Sequence, residues 1–209
     1  MGYADVRKWS LPDGEALALG ADVLRVRPGD HVVVFHQDDD EFAGRVTGYL
    51  LEALQDEGVA IVIATPAHRL SFEERLEQAG IDVAAAQAAG SYLALDASET
   101  MRQFIVADWP EPASFWRAIS PLIKQATGTR RPVRVFGEMV SLLWDAGLVN
   151  SAIELEAMWN ELGRQYPFSL LCAYRSHSVS GSHHLDALAE VCGAHAVAIG
   201  VPPEPGQGS

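Results

Sequence analysis

Cysteine is almost absent from this 209-residue chain, occurring only as Cys172 and Cys192. Two cysteines cannot form the disulfide framework that staples small secreted folds, so both read as reduced thiols. Long apolar runs are missing as well. No stretch approaches the roughly 20 residues needed to cross a bilayer. The opening MGYADVRKWSLPDG lacks the apolar centre of a secretory signal. The expected location is the cytoplasm, with no membrane contact. Basic residues are few: 15 Lys and Arg stand against 28 Asp and Glu, for a net charge of −13. A nucleic-acid binder needs a basic face to displace phosphate counterions. The one dense basic spot, TRRPVR at 129–134, runs into a strand that includes Arg134. No nucleic-acid partner is expected. The chain also has no G-x-x-x-x-G-K-[ST] sequence, which argues against ordinary ATP hydrolysis.

What the chain does contain is an alternation. The length suits one large domain that buries well over half of its unfolded surface. HVVVF (31–35), VAIVIAT (59–65), SYLALD (91–96), PVRVFGEM (132–139) and FSLLCAY (168–174) are short apolar runs. AVAIG supplies a last short strand. Apolar at consecutive positions, such runs predict strands covered on both faces. Helical spacing separates them, over 42–57, 71–79, 113–127, 138–146, 151–165 and 185–195. Capping-box spacings are read at Ser71 and Glu74, Asp96 and Glu99, and Ser151 and Glu154. The prediction is a single α/β domain, a mainly parallel sheet with helices on both faces, over 31–200. Residues 1–30 are an N-terminal extension and 201–209 a disordered tail.

Parallel sheets bind ligands beyond the carboxyl ends of their strands. That rule gathers His36, Gln37 and Asp38; Thr65 and His68; Gly137, Glu138 and Met139; and Tyr174, Arg175 and His177. The acidic turn Asp38–Glu41 stands where a phosphate-binding protein would place glycines and a lysine. It suits either a cation or a polar ligand, or simple capping of the helix that follows. Glu138 at a strand end, next to Gly137, is read equally as a ligand contact or as a cap. His177, His183 and His184, with Cys172 nearby, match no standard zinc spacing, so neither a metal nor a cofactor is expected. Cys172 at mid-strand reads as an inert core thiol. No Ser-His-Asp arrangement or nucleophile elbow is present.

Several segments resemble the MEDS family of sensory domains. They are HVVVFHQDDDEF, GYLLEALQDEGVAIVIAT, RLEQAGIDV, VRVFGEMVSLLWDAG, ELEAMWNEL, FSLLCAY and EVCGAHAVAI, in order from about His31 to Ile199. The most specific are the G-E-M turn at Gly137–Met139 and the C-A-Y strand end at Cys172–Tyr174. The resemblance implies a RecA- or KaiC-like fold that has lost its phosphate-binding loop. It also implies the sensing of small molecules, hydrocarbon derivatives among them, beside a kinase or another output module. No output module follows residue 200, so the signal is expected to pass to a separate partner.

The leading expectation is a non-enzymatic sensory or regulatory module. Its ligand set is His36, Asp38, Glu41, Thr65, Glu138, Met139, Tyr174 and His177, and its partner a histidine kinase or a transcription-regulatory protein. One alternative is a ligand-free docking module for a kinase or an anti-sigma-type partner. Another is a residual nucleotide-binding or metal-dependent enzyme. A homodimer is compatible with all three.

Overall fold

Apolar side chains on both faces of each central strand set the architecture. The computed structural model describes residues 26–27, 29–180 and 184–200. Most of the expected N-terminal extension, the tail 201–209 and His183 lie outside the described residues. In chain order the elements are β1 (His31–His36), α1 (Asp39–Gln55), β2 (Val59–Ala64), α2 (Pro66–Gln78), α3 (Val83–Ala88), β3 (Tyr92–Asp96) and α4 (Ala97–Met101). A small antiparallel pair follows, β4 (Ile105–Val106) with β5 (Trp109–Pro110). Then come α5 (Pro112–Thr127), β6 (Val133–Gly137), α6 (Met139–Asp145), α7 (Val149–Gln165), β7 (Ser169–Arg175), α8 (Ser176–Val179), α9 (Leu185–Ala194) and β8 (Val197–Ile199).

Six strands form one all-parallel sheet in the order β3-β2-β6-β7-β1-β8. Side chains alternate between two apolar layers, as a pleated strand requires. Val33, Phe35, Ile61, Ile63, Val135, Leu170 and Cys172 face α5, α6, α7 and α9. Val32, Val34, Ala60, Val62, Phe136, Leu171 and Ala173 face α1, α2 and α3. The predicted α/β class and two-sided covering are therefore observed.

Helix starts differ from expectation for identifiable reasons. The acidic run is the opening of α1: the Asp38 carboxylate accepts the Glu41 backbone N–H at 2.7 Å, and Asp39, Asp40 and Glu41 fill the first turn. Carboxylates there complement the helix dipole. α2 begins at Pro66, five residues before the expected Ser71, because Thr65 caps it and Pro occupies the first helical position. α7 begins at Val149, since the Ser151 hydroxyl donates instead to the Asp108 carbonyl at 2.6 Å. The Asp96 cap is found as read, accepting the Glu99 N–H at 2.9 Å. Of α4 only the Asp96 cap was foreseen, and the short helices α3 and α8 and the β4–β5 pair not at all; each is too short to show a period.

Two arginines of the basic spot are held within the fold. Arg134 donates to the Tyr49 carbonyl at 2.9 Å, pairs with Glu52, and lies 4.9 Å over the Tyr49 ring. Arg131 donates to the carbonyls of Glu57 and Gly58.

Candidate functional site

The helices following β1 and β2 pack on one face of the sheet, and those following β6 and β7 on the other. The chain therefore leaves the sheet in opposite directions at β1/β7 and at β2/β6. Such divergence opens crevices at the carboxyl ends of the strands.

At the β1/β7 crevice, His36 stands in register with Arg175. The His36 ring stacks on Phe42, with centroids 4.2 Å apart, and its Nδ1 lies 3.9 Å from Asp39. That nitrogen is buried without a hydrogen-bond partner. Burial, and then the nearby Arg175 guanidinium, hold the His36 pKa below the usual histidine value. Arg175 itself sits 3.5 Å from Asp39 and keeps 36% of its side chain exposed.

At the β2/β6 crevice, Glu138 is turned across the sheet rather than onto α6, which it does not cap. Its carboxylate accepts the Thr65 N–H at 2.8 Å and the His68 Nδ1–H at 2.6 Å. The hydrogen bond to Glu138 raises the His68 pKa. Phe42 lies edge-on to His68, with centroids 5.2 Å apart, and so joins the two crevices. Gly137 does not serve a close backbone approach, since a Cβ there would meet only Leu170 Cδ1 at 3.8 Å.

Beside Arg175 lies an open cleft of about 620 Å³. Trp144, Val149, Arg175, His177 and His184 line it. Trp144 is fixed as a wall by donating its indole N–H to the Ser178 carbonyl at 2.9 Å. With the Asp145 carboxylate also in the lining, the aromatic plane, guanidinium and imidazoles around such a volume suit a small molecule that carries polar groups beside an apolar part.

The sequence profile of the MEDS family, the methanogen/methylotroph, DcmR sensory domain, matches residues 30–196. The chain belongs to this family. It thus carries a domain of a sensory class. No curated protein sequence matches this MEDS chain. A similar solved structure is that of an uncharacterized protein from Pyrococcus horikoshii in complex with an unknown peptide. It has a TM-score of 0.56 and 11% identity, covering 83% of this chain and 77% of that one. At that identity the likeness concerns the fold alone. Among the described residues of the MEDS chain, no helix is long and apolar enough to cross a membrane.

Of the residues predicted to bind a ligand, His36, Thr65 and Glu138 do meet at the rim, and His177 lines the adjoining cleft. The others do not join them. Asp38 is occupied as a helix cap, and Glu41 pairs with Arg45 at 2.8 Å on the same helix. Met139 is fully buried in the apolar layer beneath α6. Tyr174 points inward, because alternation along β7 sends its ring to the face covered by α6, α7 and α9, where its hydroxyl donates to Glu156 at 2.8 Å. Arg175, Asp39 and His68 stand at the rim beside them.

Tyr174 leads to a group that the sequence reading did not single out. His31, Glu156, Cys172 and His195 converge beneath α7 and α9, toward the amino ends of the strands, with Glu156 only 1% exposed. Burial alone would raise the Glu156 pKa, but His195, His31 and Tyr174 together pull it down to about 2. Burial pushes His195 down to about 4. A signal for this group exists in the sequence. Glu156 interrupts the apolar stripe Ala152, Leu155, Trp159, Leu162 of α7, and a carboxylate on a buried helix face demands a partner.

Proposed function

We propose that this MEDS domain is a non-enzymatic sensory module whose small-molecule ligand binds at the carboxyl ends of β1 and β7. The ligand lies in the cleft walled by Trp144, Arg175 and His177, and its occupancy is read by a partner protein. One observation carries this reading: Arg175 belongs both to the β1/β7 crevice and to the cleft lining. A bound anionic or polar group would draw the guanidinium away from Asp39, whose contact at 3.5 Å is loose. Asp39 begins α1, so ligand binding and the position of that helix share one ion pair. A ligand that favours one arrangement over the other shifts the population between them, which is what a sensor requires.

The sheet as a RecA- or KaiC-like core without its phosphate loop is part of the same proposal. In its support, the β1–α1 turn offers Gln37 and Asp38, and the Asp38 carboxylate already fills the helix N-terminus. Native mass spectrometry of the gently purified chain, followed by denaturation, tests the reading. A discrete added mass that departs on denaturation, and is lost in Arg175→Ala, is expected. A bare chain that also shows no thermal shift across a library of small organic acids and apolar metabolites overturns it. A stoichiometric protein retained equally with and without metabolites would point to the docking module instead.

A further inference from the structure

The buried group beneath α7 holds two histidines whose ring orientations are fixed by neighbours. Asn160 donates its amide N–H to the Ala194 carbonyl at 2.9 Å, which turns its carbonyl oxygen toward His31 Nδ1, 3.0 Å away. His31 Nδ1 is therefore a donor. His195 Nδ1 lies 2.6 Å from the Val191 carbonyl and must also donate. Each imidazole thus presents Nε2 to the same interior point. His31 Nε2 lies 3.3 Å from Cys172 Sγ and 3.3 Å from Glu156 Oε2; Cys172 Sγ lies 3.4 Å from Glu156 Oε2; His195 Nε2 lies 3.5 Å from Glu156 Oε1. One ligand atom from each residue falls within 4.8 Å of every other.

Counted as hydrogen-bonding groups, this arrangement is short of donors. The two Nε2 lone pairs and Glu156 Oε2 are acceptors, and the Cys172 thiol is the single proton among them. His195 Nε2 has no hydrogen-bond partner although its side chain is fully buried. We propose that the structure assigns His31, Glu156, Cys172 and His195 as a tetrahedral site for a divalent cation of the zinc type. Zinc–nitrogen and zinc–sulfur bonds of about 2.0–2.3 Å span tetrahedral edges of about 3.3–3.6 Å. The His31–Cys172, His31–Glu156 and Cys172–Glu156 separations, a triangle closed by Glu156 Oε2, match these, while His195 Nε2 stands 3.5 Å from the other Glu156 oxygen and closes the site by a small turn of that carboxylate. An Nδ1–H donated to a carbonyl is the usual outer support of a ligating imidazole, and both histidines have it. Tyr174 fixes Glu156 in the same way. On binding, the thiol proton leaves to solvent, and the thiolate and carboxylate together neutralise the ion, so no net charge is buried. Four protein ligands close the coordination, which makes the site structural rather than catalytic. It pins α7, α9 and the first residue of β1 to β7. A cleft of about 200 Å³ lined by Asp30, His31, Trp159 and Asn160 gives the ion its way in.

The test is elemental analysis of the full chain purified without chelator, with cobalt(II) titration of chelator-treated protein. About one metal ion per chain is expected, together with a thiolate-to-cobalt charge-transfer band in the near ultraviolet and a melting temperature that falls with chelator. Cys172→Ser should abolish the band, whereas Cys192→Ser should leave it intact. Should Cys172→Ser fail to fold, the wild-type cobalt spectrum still decides. A metal-free chain that takes up no cobalt would overturn the site and leave a proton-filled imidazole–carboxylate cluster. A band that survives in Cys172→Ser would overturn the assignment of the sulfur ligand.

Discussion

Replacing Glu138 by alanine removes the acceptor for two groups at once. The Thr65 N–H, bonded at 2.8 Å, is left half-buried without a partner, and the 2.6 Å bond from His68 disappears. An orphaned donor costs about 1–3 kcal/mol and a hydrogen bond to a charged group contributes about 1.5–3 kcal/mol. The carboxylate's own desolvation is relieved in the variant, so the net loss is about 2–4 kcal/mol rather than the sum. The loss depends on pH in a definite direction. His68 has its pKa raised in the fold, so its contribution is fully present below the ordinary histidine value and fades as pH rises through the elevated one. Urea unfolding of wild type and Glu138→Ala at about pH 6 and about pH 9 should show the larger difference at the lower pH. Glu138→Gln, which can still accept from Thr65, should lose less stability overall yet lose the same pH dependence. Equal destabilisation by Glu138→Ala at both pH values would falsify the ion-pair account and leave Glu138 as an uncharged brace.

Four further outcomes follow from packing and backbone geometry. Arg134→Lys should cost about 1–2 kcal/mol in chemical denaturation, because the ammonium cannot at once reach Glu52, bond the Tyr49 carbonyl and lie over its ring; an unchanged midpoint would refute it. A Cβ on Gly58 would stand 2.6 Å from the Pro132 carbonyl oxygen and 2.7 Å from that of Ala53, so Gly58→Ala should lower stability by about 1–3 kcal/mol. Gly44, exposed within α1 with open space at its Cβ position, should instead gain about 0.5–1 kcal/mol as alanine, and the two variants must move the melting temperature in opposite directions. Phe72→Ala should cost about 3–5 kcal/mol, since Phe72 is fully buried and packs edge-on against Phe136 at 5.4 Å and Phe42 at 6.0 Å; a loss under about 1 kcal/mol would mean that this layer repacks.

What the sequence determined by itself was the fold class and the position of the rim. Strands such as Val59–Ala64, apolar at every position, can only be satisfied when covered on both faces, and the helical periods between them supply the covers. The absence of glycine and lysine after β1 was equally legible, as was the capping role open to the Asp38 run, because both are local chemistry. The tertiary structure alone decided which strand ends are neighbours, since the order β3-β2-β6-β7-β1-β8 depends on non-local pairing. It also decided which way each side chain points. Tyr174 looked like a rim residue from its place at a strand end, but strand alternation turned it to the interior. Glu138 reached across to Thr65 and His68 because β2 and β6 are adjacent. His31 and Cys172 lie 141 positions apart in the chain, and no spacing rule could join them. Only the pairing of β1 with β7 beneath α7 and α9 brings their polar atoms, with those of Glu156 and His195, to a single buried point.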